Sequence, residues 1–186
     1  MPIDLYFVRH GQAAANRLHR LCGSSIDPPL TPTGMDQAMN CLYALSLLKP
    51  DAIYCSPLLR ARQTAEIATK GIANCPDIIC DTRLLERDFG EIDGTFSLLK
   101  LKKVWNYNQS YIKSNYGEET LLSLELRVLS FLEMLKENHQ DQTVIAFSHG
   151  GVGTTIHAIL SEGHERSGWF FKHFHMKNGA IAHFLL

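Results

Sequence analysis

No apolar run in this sequence approaches the roughly 20 residues of a membrane-spanning helix. Met1-Pro2 leads directly into an apolar stretch, without the basic segment and hydrophobic centre of a signal peptide. The net charge is only −1 at pH 7, so nothing global draws the chain to nucleic acid or to an anionic membrane. Five cysteines (Cys22, Cys41, Cys55, Cys75 and Cys80) form an odd, scattered set with no CxxC pair. That pattern sets aside a disulfide framework and a zinc site, and predicts free thiols in a reducing cytoplasm. A GxxxxGK[ST] nucleotide loop, metal-ligand spacing, internal repeats, linkers and low-complexity stretches are all missing. What remains is an ordinary soluble composition, 45% hydrophobic and 20% charged over 186 residues. It predicts one domain spanning 1–186, long enough to bury a sizeable core.

The apolar and aromatic run Ile3–Val8 predicts a buried strand. A Gly-, Ser- and Pro-rich loop follows over 19–30, and Thr31-Pro32 then reads as an N-cap with proline at the first helical position. That helix is expected to run to about Lys49, with Met35, Ala38, Met39, Leu42, Leu45 and Leu48 on one face and Pro50 ending it. Ala52–Cys55 reads as a second strand, Ser56-Pro57 opens a second helix, and Ile78–Cys80 is a third candidate strand. An amphipathic helix spans 119–137, with Leu121, Leu124, Val128, Phe131, Leu132 and Leu135 on its apolar side. "TVIAFSHGG" is another buried strand ending in a His-Gly turn; a helix from about Val152 to Leu160 and a closing strand "AIAHFLL" complete the chain. Strands alternating with helices predict a three-layer α/β/α sandwich around a mostly parallel sheet. Sites in such folds form at the carboxyl ends of the strands.

That rule gives the strand ends their interest. The first strand ends in Arg9-His10-Gly11, the fourth in Ser148-His149-Gly150-Gly151, and Ser56-Pro57 places Arg60 in the first turn of the next helix. Two histidines and two arginines from three segments are thus expected at one sheet edge. A histidine can be a nucleophile for phosphorus, and planar guanidinium forks match phosphoryl oxygens in a bidentate way. His19, His139, His157, His164, His173, His175 and His183 read as structural or solvated, and Arg62 falls on a different helix face from Arg60. Glu86 has acidic neighbours in Asp88, Glu91 and Asp93, and composition does not choose among them.

The segments "VRHGQAAAN", "DPPLTPTGMDQA", "SPLLRARQTAEI", "LLERDFGEIDG", "YGEE", "LRV" and "FSHGGV" resemble the histidine phosphatase superfamily, in the branch that holds cofactor-dependent phosphoglycerate mutases and small-molecule phosphatases of the α-ribazole phosphatase and broad-specificity types. The resemblance runs from Leu5 to about Leu160. It implies a phosphoglycerate mutase-like fold and hydrolysis of a small phosphorylated metabolite, in the histidine acid-type manner. His10 is then the residue that becomes phosphohistidine. Arg9, Arg60 and His149 grip the phosphoryl group with help from Asn16 and the Gly150 backbone, and a protonated His149 is expected there. Glu86 is the implied general acid and base, and Gly23 lies in the loop that passes the substrate. Asp27, Pro29, Leu30 and Gly34 match a stretch that shapes a loop. No metal or other cofactor is implied, since arginines and histidine supply the charge a magnesium ion would bring. Neither a nucleic acid nor a membrane partner is implied, and the oligomeric state is not readable.

Residues 95–117 stand where this family builds its substrate lid. They carry Lys100, Lys102, Lys103 and Lys113 with no acidic residue, and Phe96, Trp105, Tyr107, Tyr111 and Tyr116. One reading is a solvated basic helix whose aromatics pack on the body. The other is a lid whose cations attract phosphorylated metabolites. Ala13 departs from the family pattern of serine or threonine, which favours a phosphatase over the alternative of a phosphoglycerate mutase. A non-catalytic phosphate-binding module would be expected to have lost His10, Arg60 or His149, and all are present.

Overall fold

A computed structural model describes residues 2–96, 104, 106, 111–161 and 175–186. The strands are β1 (Asp4–Arg9), β2 (Ala52–Cys55), β3 (Ile78–Cys80), β4 (Thr143–Ser148) and β5 (Ile181–Leu185). The helices are α1 (Ala14–Arg17), α2 (Pro32–Leu45), α3 (Leu59–Thr69), α4 (Leu121–Asn138) and α5 (Gly150–Leu160). The strands form one sheet in the order β3-β2-β4-β1-β5. All neighbours are parallel except β5, which runs antiparallel to β1.

Alternation along the strands builds the three layers. Leu5, Phe7, Ala52, Tyr54, Val144 and Ala146 turn to one face and pack with the apolar stripe of α4 and with Val152 and Ile156 of α5. Val8, Ile53, Cys55, Ile145 and Phe147 turn to the other, against Cys41 and Leu45 of α2 and Ala61, Ala65 and Ala68 of α3. At roughly 25 cal/mol per Å² of apolar area, each fully buried Leu, Ile or Phe contributes about 1.5–3 kcal/mol before the entropy of ordering is set against it. The six apolar residues expected to line α4 are all buried.

Helix α2 differs from its expectation in length and in facing. It ends at Leu45, and the Leu48 N–H bonds back to the Leu45 carbonyl in a tighter turn. Pro50 disfavours helical backbone at the residue before it, so the chain leaves the helix early. The buried stripe is Gly34, Ala38, Cys41 and Leu45, whereas Met35 and Met39 are 44% and 42% exposed. Both stripes have helical spacing; small residues won because α2 comes into backbone contact with the chain after β1. A Cβ on Gly34 would stand 2.2 Å from the Gln12 carbonyl oxygen, and one on Gly11 would stand 2.2 Å from the Gly34 oxygen.

The short α1 was not expected from the sequence, although Ala13-Ala14-Ala15 has high helix propensity. Helix α5 starts two residues earlier than expected, directly after His149. Of the segment 95–117, Lys100, Lys102, Lys103, Trp105 and Tyr107 lie outside the described residues. Tyr111 and Tyr116 pack partly buried against the α4 side of the core, while Phe96 is 73% exposed. All five cysteines are free. Among the described residues no helix is long and apolar enough to cross a membrane.

Candidate active site

Register explains why two distant histidines meet. Arg9 on β1 is level with Ser148 on the parallel β4, so the next residue of each strand emerges at the same height. The His10 and His149 rings lie 5.1 Å apart, edge to face, and both are buried. His10 is locked from its Nδ1 side: that nitrogen lies 2.7 Å from the Gly11 carbonyl. A carbonyl only accepts, so Nδ1 carries the proton and Nε2 is left with its lone pair. Burial, then the positive charges of Arg60 and Arg9, hold the His10 pKa well below the usual histidine value. The ring is therefore neutral.

Arg60 comes from the first turn of α3. Its side chain is fully buried; Nη1 donates to the Ile26 carbonyl at 3.0 Å and Nη2 to those of Gly23 at 2.9 Å and Cys22 at 3.3 Å. Asp27 fixes the start of α3 by accepting the Leu59 N–H at 2.8 Å, and stands 3.6 Å from Arg60 Nη1. Thr64, one turn on, donates to the Arg60 carbonyl at 2.7 Å and accepts the Gly11 N–H at 3.0 Å, tying α3 to the strand end. Arg9 donates from Nη1 to the Met176 carbonyl, and the missing Cβ of Gly150 lets its guanidinium lie against the first residue of α5.

Glu86 bridges two elements: Oε1 accepts the Arg87 N–H at 2.9 Å and Oε2 accepts the Gly151 N–H at 3.1 Å. Burial raises its pKa above the ordinary carboxyl value, against the opposing pull of those two N–H groups and of Arg60 and Arg9. Structure thus separates Glu86 from its acidic neighbours, because Asp88 and Asp93 are engaged in loop turns with Gly90, Gly23 and Ser25. Gly23 is needed where it stands, since a Cβ there would come within 2.6 Å of the Arg87 carbonyl oxygen. Cys22 sits beside the arginines, but burial pushes its thiol up to about 11, so it is not a thiolate.

Three buried nitrogens in this cluster are orphans. Arg9 Nε, Arg60 Nε and His149 Nδ1 are each buried with no hydrogen-bond partner among the described residues. An unpaired buried polar atom costs roughly 1–3 kcal/mol, so three of them together mark a place built for an acceptor-rich guest. Burial, then Arg60, His10 and Arg9, hold the His149 pKa well below the usual value, so the protonated form expected beside a phosphoryl dianion depends on the charge that dianion brings.

Sequence reasoning missed Asn178. Its Nδ2 donates to the His10 carbonyl at 3.1 Å and reaches Asn16 Oδ1 at 3.5 Å. Asn16 Oδ1 also accepts the Ala13 N–H at 3.0 Å, which leaves the Asn16 amide hydrogens for a ligand. The signal was the Asn178-Gly179 turn before the last strand, where Gly179 has a positive φ of 72° and donates to the Arg9 and His10 carbonyls. Among the described residues no group of three or more His, Cys, Asp or Glu could hold a metal ion.

Comparison with known proteins identifies the family. The model of the histidine phosphatase superfamily (branch 1) fits residues 5–185. The chain belongs to that superfamily. Phosphoserine phosphatase 1 of Hydrogenobacter thermophilus is 33% identical over 153 residues, 79% of this chain and 71% of that protein. The metal-independent phosphoserine phosphatase of Arabidopsis thaliana is 28% identical over 166 residues, 86% of this chain and 69% of its own length. A solved phosphoglycerate mutase from Thermus thermophilus is 30% identical and superposes with a TM-score of 0.71, covering 97% of this chain and 91% of that one. The α/β fold with its mostly parallel sheet is that of the phosphoglycerate mutase-like histidine phosphatases.

Proposed function

We propose that this chain is a metal-independent phosphomonoester hydrolase for a small phosphorylated metabolite, working through a phosphohistidine on His10. The observation that carries the reading is the set of three orphaned nitrogens on Arg9, Arg60 and His149 around a neutral histidine. A phosphoryl group has the oxygens to satisfy all three, and its charge meets two guanidinium groups. The relatives named phosphoserine phosphatase support a small substrate.

His10 Nε2 attacks phosphorus, forming an N–P bond as the ester P–O bond breaks. The departing alkoxide takes its proton from Glu86, whose burial favours the protonated form. Water then gives a proton to the Glu86 carboxylate while its oxygen attacks phosphorus, the N–P bond breaks, and phosphate leaves. Asn16 and the Gly150 backbone add donors to the phosphoryl oxygens, and Gly23 keeps the substrate loop close.

The rival reading is a phosphoglycerate mutase, favoured by the Thermus thermophilus relative. A mutase must shield phosphohistidine from water until re-transfer. Ala13 offers no hydroxyl to a substrate and is fully buried at the start of α1, which supports hydrolysis. One incubation separates the two. With 3-phosphoglycerate and a trace of 2,3-bisphosphoglycerate, free phosphate is expected to accumulate. Accumulation of 2-phosphoglycerate instead would replace this reading with the mutase. Hydrolysis of p-nitrophenyl phosphate is expected to persist in a chelator and to vanish in His10→Ala.

A further inference from the structure

Ser56 closes β2 beside the site, and its hydroxyl is fully buried. Its Oγ lies 2.8 Å from Nε2 of His149 and 3.4 Å from the Leu58 N–H, which donates to it. Its own N–H is bound to the Phe147 carbonyl at 2.9 Å, so strand pairing with β4 sets its position.

The geometry points to Ser56 as the positioning residue that holds His149 in the neutral Nδ1–H form, so that His149 donates to a phosphoryl oxygen from Nδ1 without carrying charge. The inference rests on the hydrolase reading above and deepens it. A serine hydroxyl has one hydrogen to give. Leu58 N–H fills one of the two lone pairs of Oγ, and among the described residues the hydroxyl hydrogen has no acceptor within reach other than Nε2, so it is directed there. Nε2 must then accept, and the single proton of a neutral imidazole resides on Nδ1. Nδ1 is the nitrogen left buried without a partner among the described residues. The groups that act on the ring charge are Arg9 and His10 at the end of β1, Arg60 on α3 and Arg127 on α4. All of these oppose the imidazolium, and the neighbouring Glu86 carboxyl, held on the Gly151 N–H, is pushed by burial toward its own neutral form. A neutral donor avoids adding a further positive charge to the pocket when phosphate is absent.

Histidine tautomers are read directly from two-bond 1H–15N correlations on the 15N-labelled full chain, with His149 assigned by its missing signals in His149→Gln. The wild-type enzyme is expected to show the Nδ1–H pattern. In Ser56→Ala the pattern is expected to move toward the Nε2–H form, with orthovanadate inhibition weakened about tenfold and kcat for p-nitrophenyl phosphate lowered by a similar factor. Ser56→Thr, which keeps a hydroxyl, is expected to restore both. An Nε2–H pattern in the wild-type protein, or an unchanged pattern in Ser56→Ala, would overturn the assignment. Should Ser56→Ala fail to fold, Ser56→Cys takes its place with the same expected shift, because a thiol is only a weak donor. A protein whose pattern moves in Ser56→Ala yet which hydrolyses no phosphomonoester would reject the hydrolase reading and uphold the role of Ser56.

Discussion

Glu86 and Gly151 are joined across the pocket: the glutamate, on the loop after β3, accepts the backbone N–H of the second residue of α5 at 3.1 Å. That bond fixes the carboxyl beside the histidine that precedes the helix. It also orients a group whose pKa burial has raised. Glu86→Gln keeps the shape but can neither give nor take a proton. Turnover is expected to fall by about 10²- to 10⁴-fold, the usual range for general acid–base catalysis. An activated substrate with a good leaving group should then build up phosphoenzyme, acid-labile and base-stable, in rapid-quench labelling with 32P. Turnover at the wild-type rate would remove Glu86 from the chemistry.

Gly34 permits the backbone contact that sets α2 against the catalytic strand. Its Cβ would lie 2.2 Å from the Gln12 carbonyl oxygen, an approach only backbone movement can relieve. Gly34→Ala is expected to destabilise the fold by about 2–3 kcal/mol, which for a chain of this size lowers Tm by roughly 5–10 °C. Gly71→Ala is the control, because a Cβ there meets only the Leu42 side chain, at 3.1 Å, and Tm should change little. Equal tolerance of both changes in thermal melts would mean that α2 is free to slide.

These contacts show what a sequence reveals and what it conceals. The strands, α4 and the convergence of His10, Arg60 and His149 were legible because hydrophobic period and strand-end position are local signals. The facing of α2 was legible only in part: Ala38 and Leu45 are buried as expected, but Met35 and Met39 match the helical stripe as well as Gly34 and Cys41 do, and only the proximity of Gln12 decides between them. Asn178 was hidden for the same reason, since it acts across 168 residues of chain on the His10 carbonyl. The downward pull on the His149 pKa comes from burial beside two arginines, which no motif states.

The two buried histidines make stability depend on pH. Both have folded-state values well below the usual 6.5, so the unfolded chain binds protons that the folded chain refuses. Their share of stability is complete above the unfolded value and is lost as pH falls below it. The loss is up to about 1.4 kcal/mol per pH unit for each ring, and twice that for the pair. Glu86 works in the opposite direction: its raised value costs stability above the folded pKa, and that cost is relieved at lower pH. Urea unfolding is expected to show lower stability at pH 5.5 than at 7.5. His149→Gln should roughly halve the histidine contribution to that slope, and an undiminished slope would place the titration elsewhere.

Arg60 has two tasks that one lysine cannot share. Its Nη1 and Nη2 hold the carbonyls of Ile26, Gly23 and Cys22, while Nε remains for the guest. A lysine preserves the charge that keeps His10 neutral but offers a single compact donor group in place of the planar fork. Arg60→Lys is expected to lower kcat/KM for p-nitrophenyl phosphate by about 10²- to 10³-fold, the equivalent of roughly 3–4 kcal/mol at 1.36 per tenfold. Vanadate inhibition should weaken in parallel if, as proposed, Nε meets the phosphoryl oxygens themselves. Arg62→Lys, two residues along on the exposed side of α3, should leave both within about twofold, since surface changes away from such networks have small effects. Near-normal kcat/KM in Arg60→Lys would show that charge alone suffices at this position, and would leave Arg9 as the only guanidinium whose geometry matters.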